Sequence, residues 1–304
     1  MPRLMLPIRL HHAFFLTNVV LAPAGFAQCV ELGGELAQGG IFWGEVAPQS
    51  RVRLDGKALD VLPDGQFVGG FGRNAGPRSV LVVEAPTEPV VEESPDSSAV
   101  EGPEPGETSQ RCEQTITVAA RDYRIDRVEG VPQRTVTPPP EQLERIRRER
   151  ELVAAAKRQR IERPDWLLQV DGGFAWPATG RISGVYGSQR YYNGEPGNPH
   201  YGVDIAVPTG TPVLAPAAGI VTVAEDDLFY SGGTVVLDHG YYLSSSFLHM
   251  SKVLVSVGDE LAPGDLIGEV GATGRATGPH LDWRMSWRQE QVDPQRLVPP
   301  MPTP

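Results

Sequence analysis

The sequence predicts a mainly β protein: a C-terminal all-β domain of antiparallel sheets, a small N-terminal β-sandwich, and one helix linking them. Three observations carry this. The 304 residues include 34 glycines and 29 prolines but only 7% aromatic residues, a balance that favours short strands joined by turns. Between Gly40 and Phe71 short apolar runs are cut by Pro48-Gln49, Asp55-Gly56 and Asp64-Gly65, and Asp-Gly pairs are hairpin signals. Helix-start chemistry stands out once, where Thr137 precedes Pro138, Pro139 and Pro140.

In order along the chain, residues 1–27 read as a secretory signal. Arg3 and Arg9 supply the positive start, Ala13–Leu21 the apolar run, and Gly25 and Ala27 the small residues before cleavage at Gln28. The run is too short to span a bilayer. Gln28 stands where a lipid-anchor signal needs a small residue, so Cys29 is not read as lipidated. The mature chain is expected outside the cytoplasm, periplasmic or extracellular, with no membrane span.

Residues 28–130 form the small β domain, with an acidic insertion at 84–111. From Glu84 to Thr108 there are eight acidic residues and no basic one. A Pro-, Glu- and Ser-rich segment of this kind buries too little apolar area to offset its ordering entropy, and is expected to be disordered. It accounts for most of the formal charge of −11, so the net charge gives no support for nucleic-acid binding. Thr115–Ala119 reads as a returning strand. Cys29 and Cys112, an isolated pair in an exported chain, are expected to be bonded.

Residues 131–165 form a helical linker, its helix running from Glu141 to Glu162 and stopping before Pro164. It carries seven basic side chains between Arg145 and Arg160, partly offset by Glu144 and Glu151, and reads as a solvated connection. From 166 to 298 the texture is again short strands and turns; 299–304 is a tail.

Every histidine after the leader lies in this last domain: His200, His239, His249 and His280. Clustering of that kind points to a metal or acid–base site. In P-H-Y-G-V-D, His200 and Asp204 would share a face of a straight strand but lie about 13 Å apart, so the chain must bend; Gly202 permits it. In T-G-P-H-L-D-W, His280 and Asp282 are two apart and point the same way, while Leu281 and Trp283 face the core. Two polar donors inside an apolar strand are costly unless something binds them. His249, in S-F-L-H-M-S, follows a strand. His239, in V-L-D-H-G, reads as a turn residue.

These elements, in this order, resemble the LytM/lysostaphin-type zinc metallopeptidases over Phe174–Pro294. The framing segments G-R-I-S-G-V-Y-G, H-Y-G-V-D-I-A-V-P-T-G-T-P-V-L-A-P-A-A-G-I-V and G-A-T-G-R-A-T-G-P-H-L belong to the same likeness. It implies a duplicated-hybrid-motif fold and one zinc ion per chain. It implies that His200 and Asp204 are ligands, that the third ligand is at Asp282, and that His249 and His280 flank the reacting water. The expected activity is hydrolysis of peptide cross-links or stem peptides of peptidoglycan. Asp282 stands where the family usually has histidine. Its oxygen suits zinc at about 2.0–2.2 Å, but a second carboxylate neutralises the ion and makes its water less acidic. Phe247 stands where the family often has tyrosine. The segment Ser188–Pro199 is expected to be a mobile wall of the substrate groove, with Tyr191 and Tyr192 available for contact.

Two other readings compete with this one. The domain could be an inactive relative that binds and activates another wall hydrolase, which would make an envelope protein its partner. Val257–Gly268 also resembles the turn of biotinyl, lipoyl and sugar-phosphotransferase domains, but Lys252, the single lysine after Lys157, does not sit at a carrier hairpin tip.

Overall fold

The computed structural model describes residues 29–86, 110–167, 170 and 173–302. The secretory leader expected at residues 1–27 lies outside the described residues. So does most of the acidic insertion.

The N-terminal part is built of two sheets. Leu32–Gly34, Ile41–Glu45 and Gln66–Gly70 form one; Lys57–Leu59, Arg51–Leu54, Arg78–Glu84 and Arg111–Thr117 form the other. Phe42, Val52, Phe67, Leu81 and Ile116 are buried in their shared core. Asp55-Gly56 makes a two-residue hairpin, both residues at positive φ, as the hairpin signal requires. Cys29 is bonded to Cys112. The strand expected at 115–119 begins earlier, at Arg111. Its ladder continues to Glu84↔Arg111, and Ala85 N donates to Gln110 O. The edges of the expected insertion are therefore ordered strand, because main-chain pairing continues where side-chain composition alone suggests none; residues 87–109 lie outside the described residues.

The linking helix is Leu143–Lys157, preceded by a 3-10 turn at Pro140–Gln142. It is shorter than the sequence suggests. After Arg158 the chain straightens so that Ile161 O accepts from Tyr241 N and Arg160 pairs with Asp60. Nor is it fully solvated. Ala156 packs on Val223 and Val236, and the Glu149 carboxylate accepts from Phe229 N at 2.7 Å.

The C-terminal part is an antiparallel sheet of eight strands. Its order is Glu260–Leu261, Gly219–Leu228, Gly232–Asp238, Leu243–Met250, Leu281–Trp287, Gly202–Ala206, Arg181–Gly184, with Glu290–Val292 also paired to Leu281–Trp287. A three-stranded sheet of Pro212–Leu214, Leu266–Glu269 and Lys252–Val253 adjoins it. Along Leu281–Trp287 one face presents Leu281, Trp283 and Met285 to the core, all fully buried. The other face carries Asp282 and Arg284, as period-two alternation requires.

Ser188–Pro199 is built of paired strands rather than plain loop. Gln189–Tyr192 and Glu195–Pro196 form a hairpin whose two-residue turn is Asn193-Gly194, both at positive φ. Gln189–Tyr192 also pairs in parallel with Ile125–Val128. Asn-Gly is a strong hairpin signal and could have been read from the sequence.

Candidate metal centre

Register sets the two carboxylates side by side. Asp204 and Asp282 are direct cross-strand partners, and antiparallel partners project from the same face. His200 lies just ahead of its strand. Its main chain is tied to the preceding turn: Gly187 N donates to His200 O at 2.7 Å, and His200 N donates to Ser188 O at 2.8 Å. That turn, not a kink at Gly202, brings the imidazole back over Asp204. Gly202 is an ordinary strand residue needed for close approach; a Cβ there would stand 2.5 Å from Trp283 O and 2.7 Å from Asp282 Oδ1.

His200 Nε2 lies 3.0 Å from Asp204 Oδ1 and 3.4 Å from Asp282 Oδ1, and the three residues offer donor atoms all within 4.8 Å of one another. All three are buried. His200 Nε2 and Asp204 Oδ1 have no hydrogen-bond partner. Buried polar atoms left so are costly unless something binds between them. In a tetrahedral site with bonds of about 2.0–2.1 Å, neighbouring donors lie about 3.3–3.4 Å apart. The donor set and its spacing therefore fit a small divalent ion such as zinc.

The outer faces of both carboxylates are held by arginine. Arg190 Nη2 donates to Asp204 Oδ2. Arg284 donates to Asp282 from Nη2 to Oδ2 at 2.6 Å and from Nε to Oδ1 at 3.0 Å. Burial opposes ionisation of Asp282, but Arg284 and His200 hold it well below the usual carboxylate range. Burial likewise opposes ionisation of Asp204, and His200 and Arg190 outweigh it and lower its pKa. Burial disfavours a charged His200, yet the carboxylates Asp282 and Asp204 raise it above its ordinary value. Sequence reasoning missed both arginines. Arg284 was legible, two residues from Asp282 on the same strand face; Arg190, on the hairpin, gave no signal.

His249 and His280 close the other side, ring centroids 4.8 Å apart. His249 Nε2 lies 4.0 Å from Asp282 Oδ2, and His280 Nε2 lies 3.8 Å from Asp204 Oδ1. Strict alternation would turn His249 to the core beside Phe247 and away from Asp282. An extra residue between Phe247 and Met250 against Gly233–Val235, with His249 at φ 65°, breaks the alternation. A left-handed histidine is a strained position of the kind that collects at functional sites. All three imidazoles donate Nδ1–H to main-chain carbonyls: His200 to Val185, His249 to Thr273, His280 to Gly278. This fixes the tautomer that directs Nε2 inward. Burial pushes His249 down to about 4, so it is neutral near pH 7.

His239 is elsewhere, fully buried, with Nδ1 donating to Ala218 O and Nε2 accepting from Ser245 Oγ. A cavity of about 490 Å³ opens beside the centre, lined by Asp204, His280, Arg190 and Tyr192 and, across from them, by Ile125–Val128. Tyr192 is itself buried beneath Arg275. Among the described residues no helix is long and apolar enough to cross a membrane.

The comparisons agree with this geometry. Residues 198–294 match the family model for peptidase family M23. The peptidoglycan DD-endopeptidase ShyA of Vibrio cholerae is 40% identical over 103 residues, 34% of this chain and 24% of that one. The DD-carboxypeptidase/endopeptidase Mpg of Neisseria meningitidis is 33% identical over 138 residues, 45% of this chain and 32% of that one. The chain thus spans only a quarter to a third of these relatives' length. A crystal structure from Pseudomonas aeruginosa, described as peptidase M23, superposes with a TM-score of 0.59 at 30% identity, covering 86% of this chain and 94% of that one. A chain that shares this fold nearly end to end, and the family's sequence pattern over residues 198–294, belongs to peptidase family M23, the LytM family.

Proposed function

We propose that this protein is an exported zinc endopeptidase that hydrolyses peptide cross-links or stem peptides of peptidoglycan. His200, Asp204 and Asp282 would hold the ion, and His249 and His280 would handle the proton. The observation that carries this reading is the cluster of three buried donors, with His200 Nε2 and Asp204 Oδ1 lacking any hydrogen-bond partner, facing two inward Nε2 atoms beside an open cavity. The relatives' endopeptidase activities and the disulfide, which suits an oxidising compartment, support it further.

A zinc ion bound there would supply Lewis acidity, polarising the scissile carbonyl and acidifying a water. The protein's own part is acid–base and positional. Both flanking imidazoles have Nδ1–H committed to a carbonyl, so each offers Nε2 as a base to the attacking water. The imidazole that takes this proton becomes a donor to the developing oxyanion or to the leaving amine.

The test is metal analysis of the purified chain together with cleavage of defined peptidoglycan peptides. Wild type is expected to hold one zinc and to cleave. Asp282→Ala should lose both metal and activity. His280→Ala should keep the metal and lose turnover by about 10²–10⁴-fold. Asp282→Ala binding and cleaving like wild type would overturn the ligand assignment. A zinc-loaded wild type that cleaves no wall fragment would leave the domain as a binder that acts on another hydrolase.

A further inference from the structure

The second carboxylate is the unusual feature of this centre, and the structure supplies what accompanies it. Every hydrogen bond that the Arg284 guanidinium makes among the described residues ends on Asp282: Nη2 to Oδ2 at 2.6 Å, Nε to Oδ1 at 3.0 Å and to Oδ2 at 3.1 Å. Asp282 is 1% exposed and Arg284 about one-third. The pair sits over Gly202, where a Cβ would come 2.6 Å from Arg284 Cγ and 2.7 Å from Asp282 Oδ1. Space, donors and charge all converge on one carboxylate.

We propose that Arg284 is the positioning residue for Asp282. Its fork grips the carboxylate so that Oδ1 is aimed between His200 Nε2 and the ion site, and its charge offsets the one that Asp282 adds. An ion with one histidine and two carboxylates sums to zero; Arg284 returns the set to +1, the sum for one carboxylate and two neutral ligands. Asp282 and Arg284 thus act together as the equivalent of a single neutral, rigid ligand. Without Arg284, Asp282 is free to rotate onto His200, already 3.4 Å away, and the ion must break that pair to bind. Removing the guanidinium also removes a positive charge near the ion, which by itself favours binding. Orientation is expected to dominate, because groups that orient a metal ligand are typically worth 10–100-fold in affinity.

The inference rests on the zinc reading above, so its test is separated from catalysis. Zn²⁺ affinity of the full chain is measured by competition with a chromophoric chelator for wild type, Arg284→Met, Asp282→His and the double variant. Arg284→Met should weaken Zn²⁺ binding about 10–100-fold beside Asp282, and by less than about threefold in the Asp282→His background, where no carboxylate remains to be held. Equal losses in the two backgrounds, or no loss in the first, would overturn the proposal; a merely structural arginine would behave that way. Should Arg284→Met fail to fold, Arg284→Lys carries the same comparison, since it keeps the charge and loses the fork. The expected coupling in a chain that cleaves nothing would sink the hydrolase reading and support this one. Cleavage without the coupling would sink this one alone, and a wild type that binds no Zn²⁺ would sink both.

Discussion

Gly184 lies directly beneath the Asp204 carboxylate, on the neighbouring strand. A Cβ at that position would overlap Asp204 Oδ2 and stand 2.7 Å from Arg190 Nη2. Gly202 does the same for Asp282 and Arg284 one strand further on. Each carboxylate–arginine pair is therefore seated over a glycine of the adjacent strand, and neither seat needs an unusual backbone angle.

Gly184→Ala and Gly202→Ala should accordingly displace the two carboxylates and lower bound zinc by tenfold or more, on the scale of losing a ligand's supporting partner. Gly278→Ala is the control, because its Cβ would meet nothing within 4 Å although it lies only two residues before His280 in the chain. Zinc stoichiometry after dialysis against a weak chelator reads the difference. Full metal retention in Gly184→Ala would refute the packing argument.

His239 makes stability depend on acid. Burial pushes its pKa from 6.5 down to about 4, so the folded state accepts only the neutral ring while the unfolded chain takes up a proton. The sign follows: this contribution is complete above about pH 6.5 and is lost as pH falls through the window down to about 4. By pH 4 the loss is about 3 kcal/mol. Urea unfolding of the metal-free protein between pH 7 and 4 should show it as a falling midpoint. His239→Gln should flatten that slope relative to wild type, and an unchanged slope would contradict the assignment.

The Cys29–Cys112 bond spans 83 positions. In the chain-entropy model such a loop is worth about 4–5 kcal/mol. Thiol titration of the unreduced, denatured protein should find no free thiol, and Cys112→Ser with Cys29→Ser should unfold at clearly lower denaturant than wild type. Two titratable thiols per chain would rule the bond out.

The sequence by itself determined the β class and the disulfide partners, and the likeness of its motifs to the LytM family singled out the five side chains that converge on the centre: His200, Asp204, His249, His280 and Asp282. Local rules carry part of this. Alternation of period two separates Leu281 and Trp283 from Asp282, and Gly and Pro mark where strands must end. The same local rules misread what depends on distant chain. The hairpin turn at Asn193-Gly194 is locally legible, but its parallel pairing with Ile125–Val128 joins residues more than sixty positions apart. Gly202 reads from the sequence as the site of a bend because its real neighbours, Trp283 O and Arg284, belong to another strand. His249 reaches the centre only through a bulge set against Gly233–Val235. The arginines that hold Asp204 and Asp282 follow the same division: Arg284 shares its partner's strand and could be read from alternation, whereas Arg190 meets Asp204 only after the hairpin folds back. Composition and periodicity fix which face a residue takes, but strand register and the packing of one strand's glycine under another's carboxylate are set by contacts between distant parts of the chain, and these exist only in the folded protein.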